Sequence, residues 1–243
     1  SIRVRARVTG VRLHSVEVLE ELKSLLTAHQ SLGDASIRGM ALIGAGPKAF
    51  IAGADIAEQG AMSPEQGEQF GALGQEVTQL FESLPFPVIA CVNGFALGGG
   101  CEMALACDFI YASRNAKLGQ PEVNLGLIPG FGGCVRLQKA IGPAMAKELI
   151  YTGRLIKAEE AHSLGLVNRL FDDRESLLAG ALETLELIAT KSPAAVAICK
   201  ETILKSDSQS NHDGLMVERA SFKRVYETED KKIGIEAFLG KTQ

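Results

Sequence analysis

Residues 87–102 read Pro87-Val88-Ile89-Ala90-Cys91-Val92-Asn93-Gly94-Phe95-Ala96-Leu97-Gly98-Gly99-Gly100-Cys101-Glu102, and the order of textures in this stretch decides the fold. Val88 to Val92 is an unbroken apolar run, the pattern of a strand covered on both faces in a parallel sheet. A glycine-rich turn follows, and a short helix is expected from about Gly99 to Ala106. The texture then returns to a strand, Asp108-Phe109-Ile110-Tyr111-Ala112. Strand, turn, helix and strand in that order indicate an α/β fold rather than an all-β one.

The same alternation extends outward. Upstream, Ile37 to Ile43 is apolar-rich and stops at Gly44-Ala45-Gly46-Pro47, a strand and a turn. Ser63-Pro64-Glu65 is a helix start with proline in the first turn. That helix carries Phe70, Leu73, Val77, Leu80 and Phe81 before Pro85 stops it. Nearer the start, Arg3 to Val8 alternates with the period of a half-exposed strand. Ser15 can cap a helix whose apolar face is Val18, Leu19, Leu22, Leu25 and Leu26. From about residue 175 only helical periodicity is readable, with apolar faces such as Val196, Ile198, Ile203 and Leu204. A helical unit without its own sheet needs another surface, either the core or a neighbouring subunit.

The chain has 243 residues, 46% hydrophobic and 22% charged, with a net charge of -4. These values suit a globular chain with a sizeable core and exclude disordered, collagen-like and rod-like classes. The charge offers no general attraction for nucleic acid or an anionic membrane, and neither is an expected partner. Five cysteines without a CxxC pair, all among small or apolar neighbours, read as reduced, buried thiols. The four histidines stand at no ligand spacing, so no metal site is expected. The uncharged stretch from Glu82 to Glu102 is interrupted by Pro85, Pro87, Asn93 and four glycines, which makes it a poor membrane span. No signal peptide is read at the start, and the expected setting is the cytoplasm of a bacterium or, for a trimmed eukaryotic chain, the mitochondrial matrix.

Three segments carry chemistry. Lys48-Ala49-Phe50-Ile51-Ala52-Gly53-Ala54-Asp55 leaves a strand for a turn of small residues, where backbone amides can approach a ligand closely. Gly98-Gly99-Gly100 places helix N–H groups and the positive end of a helix dipole at one point, suited to an oxygen that becomes anionic. Neither fits a dinucleotide or nucleotide-phosphate fingerprint. The third segment is Gly119-Gln120-Pro121-Glu122, followed by Gly126-Leu127-Ile128-Pro129-Gly130-Phe131-Gly132-Gly133. Glu102 and Glu122 each stand among apolar or neutral neighbours, as satisfied structural acids or as tuned acid/base groups.

Together the three segments resemble the crotonase superfamily, and the enoyl-CoA hydratases in particular. The likeness is close over residues 37–172 and looser through Phe222, Asp230 and Ala237-Phe238-Leu239. It rests on the Ala-Gly-Ala-Asp turn, the Asn-Gly-x-Ala-x-Gly-Gly-Gly-x-Glu run and the Gly-x-Pro-Glu…Gly-x-x-Pro-Gly run, in that order. The resemblance implies a spiral of ββα units as catalytic core over 1–190 and a helical oligomerisation region over 191–243. It implies an acyl-CoA thioester as substrate, with coenzyme A part of that substrate and no separate cofactor, and a homotrimer or a hexamer of two trimers. Carried over by position, the amides of Ala54 and Gly99 form an oxyanion hole. Glu102 and Glu122 act as the acid/base pair, the Gly130 amide lies near the catalytic water, and Lys48, Ala52, Asp55 and Pro129 contact substrate.

Hydratases resemble this chain in carrying both glutamates, whereas simple double-bond isomerases generally keep only the second. Hydration of a 2-enoyl-CoA is therefore the expected reaction, and isomerisation by Glu122 alone the alternative. Two departures from the pattern stand out. The usual Asn-Arg-Pro turn is absent from Thr9-Gly10-Val11-Arg12-Leu13-His14, and Ala57 occupies a position where many relatives carry a lysine. Lys48 and Arg12 remain as cations for the CoA phosphates.

Overall fold

The computed structural model describes residues 16–30, 37–53 and 56–240. Helix α1 (Val16–His29) precedes strands β1 (Met40–Ile43) and β2 (Ala49–Ile51) and helices α2 (Ile56–Gly60) and α3 (Pro64–Ser83). Strands β3 (Val88–Val92) and β4 (Phe95–Leu97) lead into α4 (Gly99–Leu105), and β5 (Phe109–Ser113) and β6 (Lys117–Gly119) into a 3-10 turn at Glu122–Leu125. Then come α5 (Gly133–Ile141), α6 (Pro143–Thr152), β7 (Ile156–Lys157), α7 (Ala158–Ser163), β8 (Arg169–Phe171) and α8 (Arg174–Ala189). Three further helices close the chain: α9 (Pro193–Ser206), α10 (Asn211–Tyr226) and α11 (Glu229–Gly240).

The strands form two four-stranded sheets, ordered β1-β3-β5-β8 and β2-β4-β6-β7. All the pairings are parallel except β6 with β7. Three times the chain leaves the first sheet, turns at residues 44–48, 93–94 or 114–116, and enters the second before a helix follows. This is the expected α/β spiral of ββα units.

Strand β3 explains the apolar run. All five of its residues are buried. Val88, Ala90 and Val92 face the main core with Val77, Phe81, Met103 and Leu118, while Ile89 and Cys91 face Leu177, Ala181 and Leu185 of α8. Alternate side chains thus meet a different apolar layer on each face, and no position is left for a polar residue. Asn93 ends the strand and ties the turns together. Its buried Oδ1 accepts from the Gly44 N–H at 2.9 Å, and its Nδ2 donates to the Gly46 carbonyl at 2.7 Å. Helix α3 begins as the sequence indicates, with a reciprocal capping box between Ser63 and Gln66.

Two expectations are corrected. The stretch after Asn93 is not all turn, because Phe95–Leu97 is strand β4 between β2 and β6. A three-residue strand shows no period in sequence, and its pairing depends on chain hundreds of atoms away. The cysteines are not all buried: Cys91 and Cys101 are, Cys107 is half-buried, and Cys134 and Cys199 are exposed. Cys134 and Cys199 stand on helices α5 and α9, where apolar sequence neighbours lie on other faces. The strand expected at residues 3–8, the cap at Ser15 and the departure at 9–14 lie outside the described residues.

The last three helices pack mainly on one another. Among their described residues only Ser221 is buried. Lys200 of α9 reaches the core, donating to the Phe81 and Phe86 carbonyls at 3.1 Å each and to Asp108 Oδ2 at 2.7 Å. No helix among the described residues is long and apolar enough to cross a membrane.

Candidate active site

The two motif glutamates reach one cavity from different sheet-to-helix junctions. Gly98 has φ +53°, a left-handed conformation that favours glycine, and hands the chain from β4 to α4. Its N–H donates to the Gly119 carbonyl at 3.0 Å, so the β4–β6 pairing carries Gly98 beside the Gly119–Glu122 segment. A Cβ on Gly98 would stand 2.9 Å from Glu122 Oε1, so a side chain there would push the Glu122 carboxyl aside. Gly99 opens α4, where an N–H has no acceptor within its own helix. Glu102 follows one turn later and is 1% exposed.

Glu102 is held by backbone. Its Oε1 accepts from the Phe131 N–H at 2.8 Å and from the Gly133 N–H at 2.6 Å. Burial nevertheless dominates its charge state and lifts its pKa to about 7, with Glu122 adding repulsion and the two amides opposing the rise. Glu122, in the 3-10 turn, is also raised, chiefly by burial. Its Oε2 is buried without a hydrogen-bond partner. Two carboxyls that disfavour charge at one site tend to hold a proton between them.

Helix α3 fixes the loop that holds Glu102. Gln75 Nε2 donates to the Gly130 carbonyl at 2.9 Å, and Thr78 Oγ1 donates to the Phe131 carbonyl at 3.2 Å. Arg136 Nη1 also donates to the Phe131 carbonyl, at 2.9 Å, while its guanidinium forks onto Glu82 at 2.6 and 2.9 Å. The Phe131 ring meets Phe70 edge-on at 5.2 Å between centroids. Sequence reading overlooked Gln75, Thr78 and Arg136. Each supports a backbone carbonyl, and nothing in local periodicity marks that role.

The cavity has a volume of about 880 Å³, within the range of small-molecule sites. Its wall includes Ala52, Gly99, Glu102, Glu122, Gly130 and Phe131, and is predominantly apolar. Among the motif residues, Ala54 and Asp55 lie outside the described residues. Lys48 is exposed in the turn before β2 and does not line the cavity. Pro129 is buried behind the wall, against the backbone of Gly133, while Ile128 and Gly130 on either side face inward. Among the described residues no group of three or more His, Cys, Asp or Glu side chains is placed to hold a metal.

Comparison with known proteins gives a consistent result. The family described as "Enoyl-CoA hydratase/isomerase" matches residues 15–243. A crotonyl-CoA hydratase of Syntrophomonas wolfei is 43% identical over 225 residues, covering 93% of this chain and 85% of the relative. A short-chain-enoyl-CoA hydratase of Clostridium acetobutylicum is 45% identical over 208 residues, covering 86% and 79% respectively. The crystal structure of an enoyl-CoA hydratase from Bacillus anthracis superposes with a TM-score of 0.88 at 43% identity, over 93% of this chain and 87% of that one.

Proposed function

Since the chain belongs to the enoyl-CoA hydratase/isomerase family, we propose that it adds water reversibly across the conjugated double bond of a 2-enoyl-CoA, giving the 3-hydroxyacyl-CoA. The observation that carries this reading is the pair of carboxyls, buried Glu102 and half-buried Glu122, on the wall of one predominantly apolar cavity beside the start of α4.

A thioester conjugated to a carbon–carbon double bond is electrophilic at its β-carbon. Water attacks there through oxygen and gives up a proton, and the displaced electron pair moves onto the thioester oxygen. The N–H groups of Gly99 and Ala54 stabilise that oxyanion, the second by its place in the family motif; losing one such donor lowers rate by roughly 10²–10³ in other enzymes. Reprotonation at the α-carbon restores the thioester. Glu102 has both backbone donors on Oε1, which leaves Oε2 to orient and deprotonate water. Glu122 delivers the proton to the α-carbon, and the Gly130 amide lies near the water.

Every step is a proton transfer or a polar addition, so the coenzyme A of the substrate is the only cofactor the reading needs. Ala52, with Asp55 from the family motif, contacts the thioester end, Lys48 meets the CoA phosphates from outside the cavity, and Pro129 sets the position of Gly130. The active form is a homotrimer or a hexamer of two trimers. The relatives named above are bacterial, which supports a cytoplasmic setting.

Glutamine at either position keeps size and hydrogen bonding but removes proton transfer. Glu102→Gln and Glu122→Gln should each slow hydration by about 10²–10⁴, with the double variant far short of the product of the two, since groups acting as a unit are not additive. A well-folded Glu102→Gln protein that hydrates at the parental rate overturns the assignment. Double-bond migration of a 3-enoyl-CoA that stays mostly intact in Glu102→Gln and is abolished in Glu122→Gln identifies an isomerase.

A further inference from the structure

Two backbone amides hold Glu102 Oε1, and the peptide groups they belong to are secured in different ways. The Gly133 N–H is part of the Gly132–Gly133 peptide, whose carbonyl accepts from the Val135 and Arg136 N–H groups at 3.1 and 2.8 Å. The first turn of α5 fixes that amide through backbone alone. The Phe131 N–H is part of the Gly130–Phe131 peptide, whose carbonyl accepts from Gln75 Nε2 at 2.9 Å. A side chain of α3 thus stands one peptide away from the carboxyl. Gln75 donates to the Gly130 carbonyl, and across the same peptide the Phe131 N–H donates to Glu102 at 2.8 Å.

Helix α3 is shaped to receive this peptide. Gly71 and Gln75 are one turn apart on one face, and a Cβ on Gly71 would lie 3.7 Å from the Gly130 oxygen. Gly74 has no side chain where the Phe131 ring lies, 2.1 Å from the place of its Cβ. Gln75 itself is exposed and lines the cavity with Gly130 and Glu102. An exposed hydrogen bond adds little net stability and immobilises a side chain with several rotamers, so stability is a slight reason for this one. Its electrostatic effect is directed. A donor on a peptide carbonyl polarises the peptide and strengthens the N–H on its far side. Here that N–H makes a charge-assisted bond to a carboxylate that burial disfavours.

We propose that Gln75 is a positioning residue for Glu102: through the Gly130–Phe131 peptide it orients and polarises the amide on Oε1, and so keeps Oε2 turned into the cavity as the base. What that base then does rests on the hydratase reading; the link from Gln75 to Glu102 does not. Other groups act on Glu102 as well. Glu122 faces it from the 3-10 turn, Cys101 adjoins it on α4, and α5 brings Cys134 and Arg136, the latter paired with Glu82 of α3. Glu68 of α3 lines the same cavity. All of these stay in place when Gln75 alone is changed.

The test compares the parent with Gln75→Met, which removes the donor at similar size, and Gln75→Lys, which keeps a donor able to reach the Gly130 oxygen. Both replacements are good helix formers on an exposed face, so the variants remain foldable. In crotonyl-CoA hydration Gln75→Met should lower kcat by about tenfold to a hundredfold, the scale of a slightly misplaced group. KM should stay within about threefold, as for an interaction used in the transition state, and the acid limb of the pH profile should move upward. Gln75→Lys should keep kcat within about threefold of the parent. A second readout needs no activity. Losing support for the amide leaves Glu102 protonated to higher pH in the folded protein, so the melting temperature of Gln75→Met should fall further below the parent's as pH rises past about 7. In a Glu102→Gln background the same change should give a gap that is flat with pH. A Gln75→Met protein with parental kcat overturns the proposal. So does a melting gap of the same pH dependence in both backgrounds, or a Gln75→Lys protein as slow as Gln75→Met. If the parent hydrates nothing while the gap still widens only where Glu102 is present, the hydratase reading fails and the link from Gln75 to Glu102 stands.

Discussion

At the scale of single residues, the decisive tension is at Glu102. A buried carboxyl is normally a liability, and here two backbone amides on Oε1 offset only part of its desolvation. Its ordinary value of 4.5 rises to about 7. Between those values the folded protein holds a proton that the unfolded chain has released. Stability is therefore lost as pH climbs through that window, and the penalty is complete above it. Glu102→Gln escapes the penalty and retains an oxygen for both amides. Its melting temperature, compared with the parent by calorimetry, should be similar below about pH 4. The gap should grow up to about pH 7 and level off at about 3 kcal/mol in favour of the variant. A difference that stays flat from pH 4 to 8 would show that Glu102 does not titrate in this range.

At the scale of elements, α3 serves two purposes along its length. Its C-terminal half packs: Val77 and Phe81 are fully buried, and Gln75 and Thr78 grip the loop whose amides hold Glu102. Its N-terminal half, with Gly67 and Gly71, borders open space. The same substitution should thus have opposite signs. Gly67→Ala should raise the melting temperature, because it gains helix propensity without a clash, by about 1 kcal/mol. Gly74→Ala drives a methyl into the Phe131 ring and should lower stability by about 1–3 kcal/mol. It should also slow hydration, since Phe131 carries one of the two amides on Glu102. Thermal melts and crotonyl-CoA rates on the two variants check both signs, and equal shifts in one direction would refute this division of the helix.

At the scale of the whole molecule, the C-terminal helices do not account for their own apolar surface. Leu215, Phe222, Tyr226 and Ile233 are 62%, 63%, 57% and 57% exposed. Isolated exposed side chains need no explanation, but a set of them spread over two helices marks an interaction surface. Closed symmetric assembly of identical chains is the usual way to cover one. Sedimentation should find trimers or hexamers at micromolar concentration, and Phe222→Glu with Ile233→Glu should shift the protein toward monomer. A parent protein that is monomeric and fully active would overturn this expectation.

How much of this was legible in the sequence follows from how local each determinant is. The apolar run at Val88–Val92, the Ser63-Pro64-Glu65 helix start and the two glutamates in their glycine-rich settings are written in adjacent residues, because burial period, capping and backbone freedom act over a few positions. The α/β class, and Glu102 and Glu122 as candidate site residues, were therefore readable from the chain alone. Strands β2, β4, β6 and β7, at two or three residues each, were not, since they exist only through ladders to partners distant in sequence. Nor was it readable that Phe131 and Gly133 would supply the amides for Glu102, or that Gly74 is filled by a ring while Gly67 and Gly71 open on a cavity. Sequence determined which groups can carry the chemistry, through short-range propensity and residue type. Only tertiary structure decided which of them meet, how far burial shifts their protons and where space is left for a ligand, because desolvation and close packing depend on neighbours brought from elsewhere in the chain.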